Sequence, residues 1–98
     1  MNLKILPAAH DDLINGHDFY QQQQAGIGDY FLDSLFADID SLLIYQGVHP
    51  VMFNGYYRML ARHFPFAIYY RIEAQDIVVY AVLDTRRTPA WVKDRLGH

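Results

Sequence analysis

Residues 56–84, YYRMLARHFPFAIYYRIEAQDIVVYAVLD, carry a two-residue hydrophobic period that is interrupted twice. Tyr57, Met59 and Ala61 alternate with Arg58, Leu60 and Arg62, and Phe66, Ile68, Tyr70 and Ile72 alternate with Ala67, Tyr69 and Arg71. Alternation sends successive side chains to opposite faces of an extended chain, which predicts two strands. The unbroken apolar run Ile77–Leu83 predicts a third, buried on both faces. Pro65 punctuates the first junction and Glu73–Asp76 supplies the second turn. Consecutive strands joined by links this short are antiparallel neighbours.

Toward the N-terminus the period changes. Gly47, Pro50 and Asn54-Gly55 mark a loop. Before it, Phe31, Leu35, Ile39 and Leu42 step by four, four and three, flanked by Leu32, Phe36 and Leu43, with Asp29, Asp33 and Asp40 on the other side. This predicts an amphipathic helix of about five turns beginning at Asp29. An earlier helix is marked by Pro7, which suits a first turn, and by Leu13, Ile14, His17 and Tyr20 at helical spacing. Asp11 and Asp12 fall where carboxylates favour the positive helix end, and Gly26 suits a C-cap. Residues 2–6 alternate briefly as a first strand, and the tail after Thr88-Pro89 is a short helix or an extended segment. The order is β-α-α-β-β-β. It predicts an α+β two-layer domain in which an antiparallel helical hairpin packs on one face of a mainly antiparallel sheet.

At 98 residues, 52% apolar and 19% charged, residues 1–98 form a single domain. A chain of this length buries roughly 65% of its unfolded surface, enough for one core without staples. Cysteine is absent, so no disulfide, thiol nucleophile or cysteine metal site is available. The longest apolar run is far shorter than the ~20 residues of a membrane span. The N-terminus lacks the pattern of a secretory signal, so no membrane contact and a cytoplasmic location are expected. Charge is uneven: residues 1–50 hold Lys4 against seven Asp, net −6, and residues 51–98 hold seven Lys/Arg against four acids, net +3. That asymmetry fits either an anionic partner for the second half or two solvated surfaces of opposite sign.

His10, His17, His49, His63 and His98 show no metal-ligand spacing, so no metal is expected. No glycine-rich phosphate loop follows a strand. Ser34 and Ser41 both fall inside a predicted helix, which disfavours a serine nucleophile. Arginine remains. Arg58 and Arg62, four apart in one predicted strand, share a face, while Arg71, Arg86 and Arg87 come from neighbouring strands or their ends. Guanidinium groups converging there would hold phosphate or carboxylate. Alternatively, the arginines blunt sheet edges while the interleaved Tyr56, Tyr57, Tyr69, Tyr70 and Tyr80 pack across strands.

Ala9-x-x-Asp12-Leu13, Tyr20, Gly26-Ile27-Gly28, Phe31, Arg58, Phe64-Pro65-Phe66-x-Ile68-Tyr69-Tyr70 and Arg87-x-Pro89-x-Trp91 occur in this order. Together they resemble the RelE/ParE superfamily of type II toxin-antitoxin toxins, closest to its ParE (plasmid stabilisation) branch, from about residue 2 to about residue 95. The resemblance implies the fold already read and a cognate antitoxin as partner in a hetero-oligomer. It implies no cofactor. Arg58, Arg71, Arg86, Arg87 and Trp91 become the partner-binding candidates. The superfamily divides between inhibitors of DNA gyrase and ribosome-dependent, metal-independent mRNA endoribonucleases. Under the second alternative Arg58, Arg62 and Arg87 would clamp phosphate, and Tyr70 or His63 would transfer protons. RelE-type nucleases resemble one another in a Lys/Arg-rich sheet and a C-terminal Tyr. This chain has no Lys between residues 5 and 92, no Tyr after Tyr80, and Asp84 where relatives often carry His. These departures favour a gyrase-binding toxin without enzymatic activity over the nuclease, with an inactive antitoxin-binding homologue as a third reading.

Overall fold

A computed structural model of the chain describes residues 1–97. The elements are β1 (Asn2–Ile5), α1 (Pro7–Gln23), α2 (Ile27–Asp40), the single turn α3 (Leu42–Tyr45), β2 (Val51–Phe53), β3 (Tyr56–Leu60), β4 (Phe66–Glu73), β5 (Asp76–Asp84) and α4 (Pro89–Leu96). The strands form one sheet in the order β1-β5-β4-β3-β2, with β1 parallel to β5 and every other pairing antiparallel. The α+β hairpin-on-sheet architecture expected from sequence is the one observed; it differs in the division of the second helix, an added edge strand and the role of Gly26, and it settles the tail as a helix.

The predicted five-turn helix is divided at Ser41, whose hydroxyl donates to the Asp38 carbonyl at 2.6 Å. Such back-bonding competes with the helical ladder. The 47–55 loop contains an additional edge strand, β2, which is three residues long. It turns into β3 through Asn54-Gly55, both at positive φ (48° and 76°), as a tight hairpin requires. The tail is helical: Pro89 opens α4 and the Thr88 side chain caps it by accepting from the Trp91 amide at 3.2 Å. Gly26 adopts φ 92° but serves as the N-cap of α2, and the cap of α1 is Gln24.

The helices cover one sheet face. Leu13, Phe31, Leu35 and Ile39 pack with Ile68, Tyr70, Ile77 and Val79 in the main core. The helices meet closely at Gly16, where a Cβ would sit 2.5 Å from the Phe31 ring. The opposite face carries a smaller cluster, in which Tyr56, Ala67, Tyr69, Ala81 and Leu83 lie with Val92 and Leu96 of α4. Strand β5 serves both faces through a bulge. Tyr69 pairs with Ala81 and Tyr70 with Val79, so Tyr80 is the extra residue, and Tyr80 and Ala81 both join the α4-side cluster.

Asp12 ties the layers together. It lies beyond the first turn of α1, which contains no acidic residue, so it does not act on the helix terminus as expected. Its carboxylate accepts the Val82 amide at 3.0 Å and a two-pronged bond from Arg95 of α4 at 2.8 and 2.9 Å.

Candidate functional site

Alternation along β3 puts Arg58 on the α4 side, where its Nε donates to the Tyr69 hydroxyl at 3.1 Å. Arg87 follows β5 in the turn closed by its own amide on the Asp84 carbonyl at 3.2 Å. Its guanidinium stacks 4.3 Å from the Trp91 ring. Arg58, Tyr69 and Arg87 line a groove of about 370 Å³ with Lys93 of α4, and Met52, Phe53 and Val92 supply apolar walls.

Across α4 lies a wider groove of about 610 Å³ between α1, the end of β5 and α4, bordered by Phe19, Tyr20, Arg86, Arg87 and Trp91. Its charges are largely matched. Arg86 grips Asp84 through two side-chain bonds of 2.6 and 2.9 Å. That bonding holds the Asp84 carboxyl below the usual carboxylate range and so keeps it ionised. Arg95 is paired with Asp12. Arg87 borders both grooves.

The remaining candidates lie elsewhere. Arg71 spreads over the Tyr56 ring at 4.0 Å and donates to the Asn54 carbonyl at 2.6 Å, pinning the β2–β3 turn. Arg62 lies past the end of β3, so the expectation that it shares a strand face with Arg58 fails. Its side chain is exposed and its amide donates to the buried Asp38 carboxylate at 3.0 Å. His63 turns toward α2, with its ring 6.0 Å from that of Tyr30. Tyr70 belongs to the hairpin-side core and is fully buried. Its hydroxyl accepts the Gly47 amide at 3.1 Å and bonds His49 Nδ1, and burial pushes the phenol pKa up. Arg58 and Arg87 are therefore brought together, whereas Arg62, His63 and Tyr70 do not join them.

Tyr69 and Lys93 are groove residues that the sequence reading passed over. Tyr69 had a signal, since it holds the opposite parity to Tyr70 in β4 and stands across from Arg58 in the β3–β4 register. Lys93 had none until the tail was known to be helical. Among the described residues no three His, Asp or Glu side chains gather as a metal requires, and His98 lies outside them. No helix among them is long and apolar enough to cross a membrane.

No curated protein matches the sequence. The fold is similar to a solved structure titled as the chromosomal ParDE toxin-antitoxin system from P. aeruginosa, with a TM-score of 0.78 and 20% identity, over 84% of this chain and 92% of that one. At that identity the likeness is one of fold. A family model described as the ParE toxin of the type II toxin-antitoxin system parDE matches residues 3–89, a span that takes in the hairpin, all of β2–β5 and both Arg58 and Arg87. With the greater part of the sequence matched, the chain belongs to the ParE toxin family of type II toxin-antitoxin systems.

Proposed function

We propose that the chain is a toxin held in check by a cognate antitoxin, and that when released it arrests growth by binding DNA gyrase without performing chemistry itself. The observation that carries this reading is the separation of the proton-transfer candidates from the cations. Metal-independent RNA cleavage needs a base, an acid and phosphate-neutralising cations around one reacting atom. Here Tyr70 is sealed in the hairpin-side core and His63 turns toward α2, while Arg58 and Arg87 face the α4-side groove. Binding makes no such demand. The wider groove presents Phe19 and Trp91, both exposed, beside Arg86 and Arg87, and aromatic and arginine side chains dominate the energetics of protein interfaces.

Tyr69 is the observation on the other side, because its hydroxyl accepts from Arg58 and it lines the same groove as Arg87. A ribosome-dependent endoribonuclease would have to use it. The test is expression of wild type and Arg87→Ala without antitoxin, with genome-wide mapping of RNA ends, measurement of DNA damage and a supercoiling assay on purified gyrase. Inhibited supercoiling and DNA damage, with intact RNA, are expected. Codon-phased RNA ends with wild type, lost in Arg87→Ala and unaccompanied by DNA damage, would overturn the binding mechanism. No growth arrest at all would favour an inactive antitoxin-binding homologue.

A further inference from the structure

From α3 to β2 the usual distribution of polar and apolar side chains is inverted. Residues 41–57 are the longest stretch of the chain without Asp, Glu, Lys or Arg. Within it Leu43, Ile44, Tyr45, Val48 and Val51 are 48–76% exposed, while the polar Gln46 and His49 are drawn partly inside. The backbone enforces the inversion. The buried Tyr70 hydroxyl takes the Gly47 amide at 3.1 Å and bonds His49 Nδ1, which leaves Val48, between them, turned outward. The Val48 amide donates to the Tyr45 carbonyl at 3.2 Å, and the Pro50 carbonyl accepts from the Arg58 amide at 2.9 Å. The exposed side chains therefore stand on a backbone tied to α3 at one end and to β3 at the other. Scattered apolar residues on a surface are ordinary, but a cluster of them with no charge among them marks a contact surface.

We infer that this surface joins two copies of the chain in a two-fold symmetric dimer, with Ile44, Tyr45 and Val48 at its centre. The inference needs neither the antitoxin nor the gyrase reading. The five side chains leave on the order of 600 Å² in water, the greater part of the ~800 Å² that each partner contributes to a standard interface. Pro50 and Met52, also exposed, extend the surface. A two-fold interface sets a surface against itself, so any charge near the axis faces its like. An uncharged surface is the kind that accepts its own copy. A strongly acidic or basic partner would find no opposite charge within the segment, and a helix lying on a membrane carries Lys or Arg around its apolar face, whereas the residue that precedes this segment is the exposed Asp40. The fixed backbone also keeps the ordering cost of association low. The segment crosses the sheet near Ile72, to which Gly47 is close. The wider groove lies at the other end of β4 and β5, by Phe66 and Asp84, and stays open in the dimer.

The test is sedimentation velocity of the full chain alone from about 1 to about 200 μM, with circular dichroism to check the fold of each variant. A monomer–dimer equilibrium with a micromolar dissociation constant is expected for an interface of about this area. Ile44→Asp and Val48→Asp change side chains that lie outside the core, so both variants fold. Each weakens the dimer about tenfold or more, because symmetry brings the new charge against its like. Phe19→Asp, also at an exposed position but in the wider groove, leaves the dimer unchanged. An equimolar mixture of Val48→Asp and Val48→Lys regains the dimer that neither variant forms alone. The inference is overturned by a monomer throughout the concentration range, by a dimer indifferent to both Ile44→Asp and Val48→Asp, or by a mixture no more dimeric than its components. Two further results assign the surface to another occupant and overturn the dimer. One is a monomer that binds phosphatidylcholine vesicles and loses that binding with Ile44→Asp. The other is a monomer that binds the protein encoded by the neighbouring gene and loses that binding with the same substitution.

Discussion

On the hairpin side of the sheet, Leu13, Phe31, Leu35 and Ile39 meet Ile68, Tyr70 and Val79, and all of these side chains are buried. On the α4 side, Tyr56, Tyr69 and Leu83 share the surface with Arg58 and Arg71, and an eight-residue helix covers only part of it. The same strands build both faces, because alternation and the Tyr80 bulge deal their side chains to the two sides. Two long helices complete one face as a core, where buried apolar area supplies the stability. One short helix leaves the other face partly open, with the narrower groove upon it and the wider groove where α4 meets α1. The larger buried core thus lies on one side of a single sheet, and the more open, cation-bearing surface on the other.

The largest effect that can break this division is expected at Phe31. Its ring is fully buried and lies 5.1 Å from that of Phe64 and 5.0 Å from that of Phe66, so Phe31→Ala should cost about 3–5 kcal/mol. A loss below about 1 kcal/mol in chemical denaturation would show that the hairpin does not carry the core. Gly16→Ala should cost about 1–3 kcal/mol, because the new methyl would be driven into the Phe31 ring and the close-packed hairpin must open to admit it. Asp12→Ala probes the α4 side. It strips Arg95 of its counter-charge and leaves the Val82 amide without its partner, for an expected cost of about 1–3 kcal/mol. Hydrogen exchange should then show α4 opening well before the β4 and β5 amides. If strands and helix were lost together, α4 would be part of the main cooperative unit.

The hairpin side was the more legible in sequence. Phe31, Leu35 and Ile39 repeat at the helical period and nothing interrupts them until Ser41 bonds back to Asp38. The α4 side was obscured for specific reasons. A bulge within an unbroken apolar run leaves no trace, because Tyr80 and Ala81 look like alternating residues whether or not one is inserted. Strand β2 is three residues long and too short to display a period. The pair Tyr69-Tyr70 presents the same residue type on both faces, so the hydroxyl near the arginines could be identified only by parity, and the reading attached the role to Tyr70. Arg62 was given to a strand that ends at Leu60, where the buried Asp38 caps the next amide but one. Each of these placements depends on a long-range contact.

The smallest expected effect sharpens the comparison through pH, because two histidines titrate in opposite senses on the hairpin side. Burial lowers the His49 pKa from its ordinary 6.5, and the ring accepts or donates against the Tyr70 hydroxyl that anchors the 46–50 loop. The fold therefore favours neutral His49, and its contribution is present above about pH 6.5 and declines as pH falls below that value. His17 behaves in reverse. Hydrogen bonds to Asp18 and then to Asp29 of α2 raise its pKa, so its contribution is full below about pH 6.5 and is lost as pH rises through the folded-state value. Comparing denaturation midpoints at about pH 7.5 and about pH 5.5, His17→Gln should steepen the acid-side loss by unmasking His49, and His49→Gln should flatten it. Arg58→Gln and Lys93→Gln, across the sheet, should leave the profile as it is. A profile unmoved by His49→Gln would mean that the loop anchor does not sense protonation, and the pH response would then have to be sought on the α4 side.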